Sequence, residues 1–157
     1  MIYTDELIAR LVGCAKKITK PPSKNLKSDR GHLKNDFEIE SEDGEHRFVC
    51  FVRVNEKFQE NFSVGLDYLP KDEPGSVMLL RCNGPHGPTK VPSHHTISHI
   101  HRASANTINK GLRPESEIDI TDAYSSYQEA IQYFLKTTNI RDDGPYFPTG
   151  QLTLFTQ

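Results

Sequence analysis

The sequence predicts an α+β domain: an antiparallel sheet of about five strands packed by an N-terminal and a C-terminal helix. Three observations predict it. Near each end, apolar residues recur at helical spacing behind a capping residue. Between those stretches, several runs alternate apolar and polar residues with period two, separated by short turns. The length, 157 residues, fits one domain that can bury a core without disulfides or a structural metal. The expected division is a single domain over 1–141 and a tail over 142–157.

The opening helix starts at Thr4, whose hydroxyl suits an N-cap, with Asp5 and Glu6 at the positive end of the helix dipole. Leu7, Ile8, Leu11, Val12, Ala15 and Ile18 form its apolar stripe. Lys16, Lys17 and Lys20 suit its C-terminal end, and Pro21-Pro22 stops it. A polar connector, PPSKNLKSDRGHLKN, follows. Then DFEIE alternates, and SEDGE carries an Asp-Gly turn. HRFVCFVRVN puts Phe48, Cys50, Val52 and Val54 on one face, and NFSVGLDYL does the same with Phe62, Val64, Leu66 and Tyr68. KDEPGS reads as a turn and VMLLRCN as a central strand, so these strands suggest a meander. NGPHGPTKVPS is a loop by its Gly and Pro content, TISHIHRAS is extended, and NKGLRPESEIDI is irregular. The second helix begins with a capping box, Ser125 with Gln128 or Ser126 with Glu129. Tyr127, Ala130, Ile131, Phe134 and Leu135 form its stripe.

Net charge is −2, but the charges are segregated. Pro74 to Pro114 contains no Asp or Glu, while a second basic stretch runs from Lys16 to Arg30. A local field of this kind attracts anions whatever the net charge. No apolar run approaches the ~20 residues of a membrane helix, and MIYTDELIAR lacks the layout of a signal peptide. A cytoplasmic protein without membrane contact is expected. Cys14, Cys50 and Cys82 are odd in number, far apart and without a CxxC, which points to reduced thiols.

The residues with most chemical content are histidines. Of seven, five lie between His86 and His101: His86, His94, His95, His99 and His101. On a strand, His99 and His101 share one face, with Ile100 and Arg102 on the other. A hairpin would bring His86 near His95 or His99. Imidazole holds both protonation states near neutral pH, so such a cluster can cleave an RNA phosphodiester. One ring takes the 2′-hydroxyl proton, another protonates the leaving oxygen, and no metal is needed. His86, His95, His99 and His101 are the acid–base candidates; Arg81, Lys90, His94 and Arg102 are the candidates for phosphate contact. The alternative is zinc at His99 and His101 with His86 or His95. A cupin-type site would need a Glu where Ala105 and Asn106 stand. The histidine-triad and two-histidine phosphoesterase patterns are each incomplete. A third possibility is that the rings bond main-chain carbonyls and pack.

The run LLRCNGPHG…HHTISHIHRA…YSSYQEAIQYFL, within residues 48–137, resembles the small histidine-rich toxins of bacterial toxin–antitoxin operons, of the TumE kind, and their prophage relatives. Arg81, His86, His94, His95, His99, His101 and Tyr124 occupy comparable places, and Phe134-Leu135 closes the helix. The resemblance implies a growth-inhibiting toxin acting on RNA, with a cognate antitoxin as partner. The opening helix, the basic connector and the tail depart from that pattern.

The tail carries a separate signal. Gln151-Leu152-Thr153-Leu154-Phe155 resembles the peptide by which bacterial replication and repair proteins dock on the sliding DNA clamp. Leu154 and Phe155 would fill an apolar pocket, Leu152 would add contact area, and Gln151 would make orienting hydrogen bonds. The alternative is a last strand packed on the domain.

Overall fold

The computed structural model describes residues 1–85, 97–114, 117–142 and 146–147. Three helices occur among them: α1 (Asp5–Gly13), α2 (Ala105–Asn109) and α3 (Tyr127–Thr137). The strands are β1 (Lys16–Lys20), β2 (Lys27–Asp29), β3 (His32–Ser41), β4 (Arg47–Asn55), β5 (Phe62–Leu69), β6 (Val77–Asn83), β7 (His99–Arg102), β8 (Glu117–Ile120) and β9 (Ile140–Arg141). All nine join one sheet in the order β8-β7-β6-β5-β4-β3-β1-β9, with β2 paired to the other end of β3. Every pairing is antiparallel except β1 with β9, so the sheet is mixed.

The expected sheet of about five antiparallel strands is therefore corrected to nine mixed strands with three short helices. The meander from β3 to β7 follows the period-two runs. The added strands lie where charge hid them. Lys16 and Lys17 belong to β1, not to the end of α1, which stops at Gly13. The basic stretch from Lys16 to Arg30 also contains β2, which reaches β3 through a two-residue turn with both Arg30 (φ 52) and Gly31 (φ 84) left-handed. β8, Glu-Ile-Asp-Ile, is an exposed edge with no buried face to mark it.

Both helix starts follow their caps. Thr4 Oγ1 accepts from the Leu7 amide at 3.0 Å. At α3 the second capping box is used: Ser126 Oγ accepts from the Glu129 amide at 3.1 Å, and Glu129 accepts in return from the Ser125 amide at 3.1 Å.

The core fills one side of the sheet. Phe48, Cys50, Val52 and Val54 of β4, with Phe62, Val64, Leu66 and Tyr68 of β5, are all buried. They pack with Ile8 and Leu11 of α1 and with Tyr127, Ala130, Ile131 and Phe134 of α3. Both long helices thus cover the same face, which continues through Leu80, Cys82 and Ile100. Residues of opposite parity, including Phe51, Arg81, His99 and His101, lie on the other face. Cys50 and Cys82 are buried free thiols and Cys14 is half-buried; burial pushes the Cys82 thiol up to about 12.

Candidate functional site

β6 and β7 form the expected antiparallel pair and set the geometry of the site. Arg81 stands directly opposite His101, and Asn83 opposite His99. The two imidazoles are neighbours on one face, with ring centroids 5.0 Å apart and planes at 66°. His99 Nδ1 lies 2.8 Å from the Ile97 carbonyl oxygen. A carbonyl only accepts, so Nδ1 carries the hydrogen and Nε2 the lone pair of the neutral ring. His99 is fully buried, whereas His101 keeps 8% of its surface. Both rings are buried, and His101 is the less buried of the two.

A tyrosine holds the base of this pair from the helix side. The Tyr124 hydroxyl lies 3.0 Å from the Asn83 carbonyl oxygen and 2.9 Å from that of His99. It thereby ties the last residue of β6 to the first of β7. Burial pushes the phenol well above its usual range, so it stays a neutral donor. Tyr124 was legible in the sequence through the family resemblance. Its clamp on two strand ends was not.

Arg102 does not join the histidines. Strand alternation turns it to the helix face, where Nε bonds Asp119 at 3.0 Å. There it borders a cleft of about 520 Å³ lined by Ile8, Val12, Leu79 and Leu80. A phosphate at His101 would meet Arg81 across the strand pair, not Arg102. The remaining candidates, His86, Lys90, His94 and His95, lie outside the described residues, as do Gln151, Leu152, Leu154 and Phe155 of the tail.

Among the described residues, no three His, Cys, Asp or Glu side chains converge to hold a metal. The zinc set proposed from the sequence would take its third ligand, His86 or His95, from outside them. No helix among the described residues is long and apolar enough to cross a membrane.

No family model, curated protein or solved structure matches the chain.

Proposed function

We propose that the protein is a toxin-like ribonuclease that cleaves RNA by metal-independent acid–base chemistry at the His101 face of the sheet. The observation that carries this reading is the placement of His101 opposite Arg81 and edge-on to a second imidazole. The resemblance to TumE-like toxins supports the same substrate. His101 exchanges a proton with the substrate, and Arg81 stabilises charge on the phosphoryl oxygens. The attacking 2′-oxygen gives up its proton to a neutral imidazole and forms the bond to phosphorus. The bond to the 5′-oxygen breaks, and that oxygen takes a proton from an imidazolium. The products are a 2′,3′-cyclic phosphate and a free 5′-hydroxyl.

His99, buried and fixed through Nδ1 to Ile97, positions His101. The second acid–base imidazole is His95 or His86. The test is cleavage of a labelled oligoribonucleotide in the presence of a chelator. His101→Ala should lower the rate at least ~100-fold, the usual contribution of one acid–base group. His95→Ala and His86→Ala should separate, one severe and one mild. Cleavage that survives His101→Ala, or that chelation abolishes, would overturn the reading.

A second, compatible reading is docking on the sliding clamp through Gln151, Leu152, Leu154 and Phe155. Phe147, the last described residue, is buried, packs 5.1 Å from the Phe37 ring and accepts from Gln132 Nε2 at 2.9 Å. The peptide thus follows a fixed point of the domain. Deleting 151–157 should abolish capture by purified clamp while leaving the melting temperature unchanged. Retained capture would remove this reading.

A further inference from the structure

Among the described residues, the face opposite the helices carries a phenyl ring that lies outside the core. Phe51 lies on β4 with parity opposite to Phe48, Cys50 and Val52, and it is half-buried. Its cross-strand partner on β5 is Gly65. A Cβ at that position would run into the Phe51 ring, so the absence of a side chain lets the ring lie down on the backbone of β5. Arg53, two residues along the same face, sits with its guanidinium 5.3 Å from the ring centroid. Asp36 on β3 holds it there, 2.5 Å from Nη1.

The register places this ring in line with the histidines. One row across the sheet reads Asp36, Phe51, Gly65, Arg81, His101. The adjacent row reads Lys34, Arg53, Ser63, Asn83, His99. The row on the far side holds Glu38, Val49 and Asp67, with Glu38 paired to Lys20 and Arg47. Strands are ~4.8 Å apart, so Phe51 lies ~10 Å from Arg81 and ~14 Å from His101. That is the span of a few nucleotides in an extended strand.

We infer that this face binds single-stranded RNA, with one base stacked on Phe51 and the backbone led along the two rows toward Arg81 and His101. The inference rests on the ribonuclease reading for the chemistry at His101 and adds the form of the substrate and the path it takes. A flat ring on a sheet offers a stacking surface to any base with a free face. A duplex keeps its bases stacked on one another, so it cannot present one to Phe51. The Arg53 guanidinium lies over the ring and is paired with Asp36; a base stacks by taking its place over Phe51, which turns Arg53 toward the adjacent phosphate.

The test is fluorescence anisotropy of the full chain with three probes of equal length: single-stranded RNA, the same RNA in duplex form, and an abasic ribose-phosphate strand. The single strand should bind tightest. Phe51→Leu should weaken its binding by about 10- to 100-fold and leave the abasic probe unaffected. Phe51→Tyr should restore the affinity, which separates stacking from a folding defect. Unchanged affinity in Phe51→Leu, or equal binding of duplex and single strand, would overturn the inference. Cleavage of a dinucleotide, too short to reach Phe51, reports the chemistry alone. Dinucleotide cleavage with Phe51-independent binding would leave the ribonuclease reading standing without the platform. Phe51-dependent binding without any cleavage would do the reverse.

Discussion

Lys16→Met should lower stability by about 3 kcal/mol and the melting temperature by roughly 10 °C. Lys16 is fully buried, which is unusual for a lysine. Its ammonium donates to the carbonyl oxygens of Val12 at 2.7 Å, Cys14 at 2.8 Å and Thr138 at 2.7 Å. Val12 and Cys14 belong to the C-terminal end of α1, and Thr138 is the C-cap of α3. One cation thus satisfies carbonyls at the negative ends of two helices and pins them together over the sheet. The Phe48 ring, 5.1 Å away, closes the site from below. Methionine fills the volume but donates nothing, so those carbonyls lose their partner at about 1–3 kcal/mol for a buried group.

The pH dependence has a definite sign. Burial lowers the Lys16 pKa below its usual value, so between that depressed pKa and the usual lysine value the unfolded chain binds more protons than the folded one. This contribution to stability is lost as pH falls through the depressed pKa and grows as pH rises toward about 10.4. The stability difference between wild type and Lys16→Met should therefore widen in the alkaline range. Chemical denaturation of both proteins across that range measures it. Equal stability at neutral pH would mean that water replaces the ammonium.

The same lysine shows where sequence reading ends. Period-two alternation identified the strands of DFEIE, HRFVCFVRVN and NFSVGLDYL, because one face of each is buried and the other is largely not, whereas VMLLRCN read as a strand from its apolar run. The caps at Thr4 and Ser126 were equally legible, being local. β1 was not, because its decisive residue is a lysine in the core, and a lysine after an apolar stripe reads as the end of a helix. β8 was missed for the opposite reason: all four of its residues are exposed. At the site, alternation alone separates Arg102 from His99 and His101, so that division was available from the start. The complete burial of His99 was not, since it depends on what packs above the strand. Phe51 left a fainter trace: an aromatic out of phase with the core of its own strand, and a glycine in the interior of the next.

Gly84→Ala should cost about 2–3 kcal/mol and disturb the histidine pair although it touches neither ring. Gly84 follows the last residue of β6, and its amide donates to the Phe62 carbonyl oxygen at 3.0 Å. A Cβ at this position would collide with the carbonyl oxygen of Glu60 and the Phe62 ring. The first of these is backbone, so no rotamer change relieves it. Phe62 packs against Tyr124 at 5.9 Å and Tyr127 at 6.5 Å. Any shift of Phe62 therefore presses on the tyrosine whose hydroxyl joins the carbonyls of Asn83 and His99. The expected result is a melting temperature lower by roughly 5–10 °C, together with displaced imidazole NMR signals of His99 and His101. Gly13→Ala is the matching control, because a Cβ there meets nothing within 4 Å at the end of α1. That variant should melt no lower than wild type, since alanine is the better helix former. If Gly84→Ala also melts like wild type, the Glu60 turn yields without strain, and the end of β6 is not the rigid support of the histidines that its contacts describe.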